Sequence, residues 1–134
     1  MGDPSASLQG LRILAVDDDP DSLELIERML SVRGARVATA EGARRAFLEL
    51  SAFSPDLVIC DLSMPVEDGF SFIRRLRASA DARLRTLKVI AFSASADPEH
   101  ESRALSAGFD SFLAKPIDSR VLVESILAQT QGPR

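Results

Sequence analysis

Residues 12–20 have the sequence RILAVDDDP. The apolar run from Ile13 to Val16 has no polar residue within it, which is typical of a strand buried on both faces of a parallel sheet. Three aspartates follow this strand directly. Asp19 and Pro20 then indicate the start of a helix, because an Asp side chain caps free N–H groups and Pro fits the first helical position. The segment therefore predicts a strand followed at once by a helix.

The same strand–helix unit recurs along the chain. Five such units with short connections predict a parallel sheet covered by helices on both faces. Five strands are too few for an eight-stranded barrel, so we expect an open, doubly wound α/β sheet. The predicted strands are 12–16, 36–39, 56–61, 88–93 and 111–115. The first predicted helix begins at Pro20 and is ended by Gly34, the second covers 44–53, and the third carries Phe70, Ile73 and Leu76. The fourth covers 98–107, and the fifth follows a capping Asp118.

Length and composition limit the class of protein. The chain has 134 residues, 46% of them hydrophobic, and 16 basic against 20 acidic side chains give a net charge of −4. This length suits one domain, and an acidic protein is a poor nucleic-acid binder. The single cysteine, Cys60, excludes an internal disulfide, and we expect a soluble, cytoplasmic protein with no membrane contact. We expect a disordered segment at 1–9, a domain at 10–130 and a tail at 131–134.

Charged and hydroxyl side chains follow four of the five predicted strands. Asp17 and Asp18 follow the first, and Asp61, Ser93 and Lys115 end the third, fourth and fifth. Ligands bind at this edge of an open parallel sheet. Three carboxylates in one crevice repel each other, so we expect a compensating cation, and oxygen ligands favour Mg²⁺. Because a carboxylate can attack phosphorus, with Lys115 and Ser93 holding the phosphoryl oxygens, the pattern points to phosphoryl transfer.

Four motifs together resemble the receiver domain of two-component response regulators. They are VDDDP at 16–20, DLSMPVEDG at 61–69, Ser-Ala at 93–94 and Lys-Pro at 115–116. The resemblance covers about residues 11–128, nearly the whole chain. It implies a flavodoxin-like sheet with the strand order 2-1-3-4-5.

The resemblance also implies the role of each acidic residue. Asp61 would be the phosphoacceptor, and Asp17 and Asp18 would hold Mg²⁺ (or Mn²⁺), with Asp18 as the more direct ligand. Asp61 itself and the backbone carbonyl of Ser63 would complete the protein ligands. Lys115 would pair with the phosphoryl group.

A switch is implied at the same edge. Ser93 takes the place of the switch Thr or Ser, and Phe112 that of the switch aromatic residue, while the peptide bond between Lys115 and Pro116 would be cis. Phosphorylation adds about one net negative charge. Our hypothesis is that Ser93 moves towards it, that Phe112 fills the space, and that the face formed by 97–108, the fifth strand and the last helix changes.

Family resemblance further implies the partners. The phosphoryl group would come from a histidine kinase or a histidine phosphotransfer domain, and the output would pass to a protein of unknown identity. Such a domain catalyses only its own phosphorylation and dephosphorylation. The chain would be either a stand-alone regulator or the receiver module of a hybrid sensor histidine kinase.

Three other classes of protein share part of this pattern. A small phosphohydrolase with an aspartyl-phosphate intermediate is the main alternative, but it places its nucleophile after the first strand and needs more chain. A flavodoxin-type nucleotide binder wants a Gly-rich loop where the aspartates at 17–19 stand. A receiver-like scaffold that takes no phosphate is disfavoured because the set of acidic, hydroxyl and Lys residues is complete.

The remaining polar features suggest no chemistry of their own. His100 stands between Glu99 and Glu101, and we expect it on the surface. The basic stretch between 74 and 85 is expected to be a solvated face.

Overall fold

The computed structural model describes residues 7–64, 66–95 and 97–130. The predicted bounds agree with the structure within one residue, except that the first helix ends at Ser31, three residues before the expected Gly34. Among the described helices, none has the length and hydrophobicity needed to cross a membrane. The elements are β1 (Arg12–Val16), α1 (Pro20–Ser31), β2 (Arg36–Ala40), α2 (Ala43–Phe53), β3 (Leu57–Asp61), α3 (Gly69–Arg77), α4 (Ala82–Arg85), β4 (Lys88–Ser93), α5 (Pro98–Ala107), β5 (Ser111–Ala114) and α6 (Ser119–Thr130). Only the four-residue helix α4 was not predicted.

The five strands form one parallel sheet in the order β2-β1-β3-β4-β5. The predicted fold class and strand order are therefore confirmed. Val16 is paired with Cys60, and Asp61 with Phe92. This register brings the residues that follow β1, the end of β3 and Ser93 at the end of β4 to the same edge of the sheet.

Helices cover both faces of the sheet, as predicted. Consecutive residues of a central strand enter different cores: Leu14 and Val58 pack with α2, α3 and α5, whereas Ile13 and Ile59 pack with α1 and α6. All four side chains are fully buried. Burying a side chain of this size contributes about 1.5–3 kcal/mol, so the two cores hold the strand ends rigidly in register.

Capping side chains set where the helices begin. The Asp19 carboxylate accepts a hydrogen bond from the Asp21 backbone N–H, and Pro20 is the first residue of α1, as the sequence indicated. Asp118 accepts bonds from the backbone N–H groups of Arg120 and Val121 at the start of α6. These caps fix the direction in which each helix leaves the edge of the sheet.

Leu8 belongs to the core, and here the expectation of a disordered segment up to residue 9 is wrong. Its side chain is 1% exposed and packs in the cluster that contains Leu30 of α1. Its backbone N–H donates to the Arg33 carbonyl oxygen at 2.8 Å. A single apolar residue in a polar stretch has no periodicity, so its burial left no sequence pattern. The expectations for residues 1–6 and 131–134 lie outside the described residues.

Arg77 also departs from the solvated face expected of the basic stretch. Its guanidinium donates to the carbonyl oxygens of Gly108 at 2.7 Å and Leu87 at 2.6 Å. It also forms an ion pair of 2.9 Å with Asp110. Arg77 therefore ties the end of α3 to the segments that lead into β4 and β5.

Candidate functional site

Three carboxylates meet at the carboxyl edge of the sheet. Asp17 and Asp18 follow β1, and Asp61 is the last residue of β3; one oxygen of each lies within 4.8 Å of the other two. Asp17 and Asp61 are 0% and 3% exposed, whereas Asp18 is exposed. The structure thus brings together the three acidic residues that the sequence predicted at this edge.

Lys115 is the cation that faces the two buried carboxylates. Its Nζ lies 3.2 Å from Oδ2 of Asp17 and 3.5 Å from Oδ2 of Asp61. Its backbone N–H donates to the Ser93 carbonyl oxygen at 2.8 Å, and the following peptide bond to Pro116 is cis, as expected. One ammonium against three carboxylates leaves two formal negative charges at the site.

The burial of Asp61 has an electrostatic consequence. Burial raises the pKa of Asp61 to about 6, and the neighbouring Asp17 raises it as well, against the lowering effects of the Ser63 N–H group and Lys115. Burial lowers the pKa of Lys115, but Asp61 and Asp17 outweigh this and raise it. The site therefore favours a charged ammonium and disfavours a second buried negative charge.

The donor set fits a hard divalent cation. Carboxylate oxygens are the protein ligands that Mg²⁺ prefers, usually one or two of them with waters and phosphate. The exposed Asp18 leaves the cluster open on one side, and two uncompensated negative charges match the charge of such an ion. Asp17, Asp18 and Asp61 could hold it.

Gly69 packs closely against the backbone of Asp61, a role that was not predicted from the sequence. A Cβ at this position would lie 2.6 Å from the Asp61 carbonyl oxygen and 2.9 Å from the Leu62 Cα. Because both neighbours are backbone atoms, only glycine fits without moving the chain around Asp61. Its place in the DLSMPVEDG motif was the available signal.

Ser93 is buried next to His100, which is half-buried rather than fully exposed on the surface as expected. Ser93 is 1% exposed, and its Oγ lies 3.2 Å from the His100 Nε2. Asp97 accepts a bond from the His100 backbone N–H at 2.8 Å and so places the ring in the first turn of α5. The spacing of four residues to the buried Ala104 was the signal for an inward position.

Two phenylalanine rings contact the same imidazole. The ring centroid of His100 lies 5.9 Å from that of Phe70 and 6.0 Å from that of Phe112, both edge-on. Phe112, the expected switch aromatic, is half-buried on β5. His100 therefore contacts both residues of the predicted switch, Ser93 and Phe112.

The sequence matches the family described as "Response regulator receiver domain" over residues 13–127. The chain is a receiver domain. Its matched segment contains the whole acidic cluster, Ser93, Phe112 and Lys115. The resemblance drawn from the motifs is thereby confirmed.

Similar proteins include both small proteins and modules of larger ones. The receiver domain is 38% identical over 120 residues to an uncharacterized 14.6 kDa protein of Leptolyngbya boryana, with 90% of each chain covered. It is 34% identical over 128 residues to the sensor protein GacS of Pseudomonas syringae pv. syringae, and spans 14% of that protein's length.

A solved structure supports the same assignment. The signal receiver domain of a signal transduction histidine kinase from Syntrophus aciditrophicus is 33% identical, with 93% of each chain covered and a TM-score of 0.82. Receiver domains of this family thus occur both in response regulators and in hybrid kinases. The sequence of this chain is compatible with a stand-alone regulator and with a hybrid-kinase module.

Proposed function

We propose that this receiver domain accepts a phosphoryl group on Asp61 and so switches a protein-binding face. The observation that carries the proposal is the position of Asp61, a buried carboxylate within 4.8 Å of Asp17 and Asp18 and 3.5 Å from the Lys115 ammonium. Such a site is electrostatically prepared for phosphoryl transfer, which depends on positioning and charge compensation.

The transfer step involves one bond formed and one broken. A carboxylate oxygen of Asp61 attacks the phosphorus of a phosphohistidine, the P–N bond breaks, and its electron pair stays on the imidazole, which takes up a proton. The product is an acyl phosphate on Asp61. The donor is a histidine kinase or a histidine phosphotransfer domain, and a small acyl phosphate can replace it in self-phosphorylation.

The side chains around Asp61 have separate tasks in this step. Asp17, Asp18, Asp61 and the Ser63 carbonyl would hold Mg²⁺ or Mn²⁺, which offsets charge on the phosphoryl oxygens when it is bound. Lys115, now paired with Asp17 and Asp61, would pair with a phosphoryl oxygen.

The signal ends by hydrolysis. A water oxygen attacks phosphorus, the bond between phosphorus and the Asp61 oxygen breaks, and inorganic phosphate leaves while the carboxylate is restored. The catalysis is confined to the domain's own modification. The position of the acidic nucleophile at the end of β3, rather than β1, favours this function over a phosphohydrolase.

The output face would be formed by α5, β5 and α6. Phosphorylation draws the Ser93 hydroxyl towards the new charge, and Phe112 moves into the space that opens. Two of its elements carry an exposed apolar side chain that a partner could cover, Leu105 on α5 and Val121 on α6. The partner would be a downstream output protein, reached from a stand-alone regulator or from a hybrid kinase.

Intact-mass measurement after incubation with acetyl phosphate and Mg²⁺ tests the proposal. We expect wild type to gain the mass of one phosphoryl group and Asp61→Asn to gain none. Asp21→Asn, which changes an exposed carboxylate of α1, is the matched control and should behave as wild type. A wild type without adduct would contradict the proposal, and sustained turnover of phosphate monoesters would favour the phosphohydrolase.

A further inference from the structure

The Ser93 hydroxyl has a single proton, and its surroundings show where that proton goes. The Ser95 backbone N–H donates to Oγ at 3.1 Å, which occupies one lone pair. Since Oγ belongs to a residue that is 1% exposed, its own O–H needs an acceptor within the protein. Over the described ranges, His100 Nε2, at 3.2 Å, is the one atom within hydrogen-bond distance that can accept it. In the tautomer whose Nε2 carries no proton, the Ser93 hydroxyl therefore donates to His100.

The same proton is the one that a phosphoryl oxygen would need. A hydroxyl that donates to His100 is not available to donate to a phosphoryl group on Asp61 until the first bond breaks. We propose that His100 is a positioning residue that holds the Ser93 hydroxyl in the unphosphorylated domain and thereby opposes phosphoryl binding. This inference rests on the proposed function of Asp61.

His100 is held firmly enough to compete with a phosphoryl oxygen for the Ser93 hydroxyl proton. Asp97 accepts its backbone N–H, and the edges of Phe70 and Phe112 confine the imidazole from α3 and β5. Because an ordered partner loses little entropy on bonding, the contact to Ser93 keeps most of the value of a buried hydrogen bond.

The release of this bond also gives the switch a direct route to α5. The Ser93 hydroxyl bonds to Ser95 and His100, and both of these residues bond to Asp97 at the start of the helix. The Ser95 Oγ donates to the Asp97 carboxylate at 3.2 Å, and the His100 backbone N–H donates to it at 2.8 Å. When the Ser93 hydroxyl turns to a phosphoryl oxygen, its bond to His100 breaks, and the first turn of α5 loses one of its two links to β4. His100 therefore couples the chemistry at Asp61 to the proposed output face.

Beryllofluoride, a phosphoryl analogue, provides the test. Its Kd would be measured by calorimetry with Mg²⁺ present, for wild type and for His100→Phe. The variant keeps an aromatic ring next to Phe70 and Phe112 but cannot accept a hydrogen bond from Ser93. We expect the Kd to fall about five- to tenfold, the worth of one hydrogen bond. In a Ser93→Ala background the same substitution should change the Kd less than about twofold.

Glu101→Gln is the matched control, since it changes an exposed residue next to His100 on α5. An equal or higher Kd in His100→Phe than in wild type would overturn the role of His100. A wild type that binds no beryllofluoride would instead overturn the proposed function of Asp61. These two results are distinct.

A second measurement needs no variant. A two-bond ¹H–¹⁵N spectrum of the wild-type imidazole at pH 8 shows which ring nitrogen carries the proton. We expect Nε2 without a proton in the free domain. A protonated Nε2 would overturn the proposal, because His100 would then donate to Ser93 and leave its hydroxyl proton free.

Discussion

The ammonium of Lys115 lies 3.5 Å from Oδ2 of Asp61. Among the described residues, Lys115 is the one basic residue that forms an ion pair with Asp61. The same nitrogen lies 3.2 Å from the fully buried Asp17. A single ammonium group therefore contacts both buried carboxylates. This sharing leaves each buried carboxylate only partly compensated, in line with the raised pKa of Asp61.

Removal of the Lys115 charge should destabilise the domain most strongly without a divalent cation. In Lys115→Met the two buried carboxylates lose their compensating charge, and we expect a loss of about 1–3 kcal/mol in urea unfolding. Added Mg²⁺ should reduce this loss. Lys88→Met is the control, because the ammonium of Lys88 is half exposed and 3.9 Å from Asp110. An equal loss with and without Mg²⁺ would contradict the charge argument.

The raised pKa of Asp61 predicts that Asp61→Asn increases the folding stability of the Mg²⁺-free protein, by an amount that depends on pH. The carboxyl has a pKa of about 6 in the folded domain against an ordinary value of 3.8. Below 3.8 it is neutral in both folded and unfolded chains; above 6 it is charged in both, and the folded domain bears the burial penalty.

Asp61→Asn should therefore be more stable than wild type by about 1–3 kcal/mol at pH 7. The difference should shrink as the pH falls through 6 and vanish below 3.8. Thermal unfolding of both proteins across this range measures it, with Asp21→Asn as control. A difference that does not change with pH would mean that charge burial is not its cause.

Gly69→Ala should destabilise the domain although alanine favours helices by about 1 kcal/mol. The added Cβ meets the Asp61 carbonyl oxygen at 2.6 Å. We expect a net loss of about 1–3 kcal/mol in unfolding experiments and slower phosphorylation by acetyl phosphate. Equal or greater stability in the variant would show that the backbone around Asp61 adapts freely.

Arg77→Ala should weaken the attachment of α3 to the β4 and β5 segments. The variant loses the bonds to three carbonyl oxygens, those of Arg85, Leu87 and Gly108, and the ion pair with Asp110, and we expect a loss of about 2–4 kcal/mol. Arg74→Ala, on the exposed side of the same helix, should change stability by less than about 0.5 kcal/mol. Similar effects of the two substitutions would contradict this role.

Ser93→Ala should separate phosphorylation from switching. The acceptor Asp61 and its cation ligands are untouched, so the adduct should still form, whereas the change in amide exchange of α5, β5 and α6 should disappear. Mass spectrometry with hydrogen exchange measures both in one sample. If the exchange change persists in Ser93→Ala, the signal takes a route that does not involve this hydroxyl.

The amino-acid sequence was sufficient for the sheet and for the acidic edge. Apolar runs at 12–16, 56–61 and 88–93 are long enough and apolar enough to identify central strands. Once the strands are parallel, the residues that follow them must meet at one edge, so the approach of Asp17 and Asp61 follows from order along the chain.

Tertiary structure alone decided the roles of Leu8, Arg77 and His100. Leu8 is an isolated apolar residue in a polar stretch, whereas Arg77 and His100 are polar residues on helices. The partners of all three come from other segments: Leu8 meets α1, Arg77 meets Gly108, and His100 meets Ser93. Local pattern records only which face of its own element a residue occupies. The contact itself depends on how two elements approach across a core, and that is settled by packing and by the need to satisfy buried polar groups.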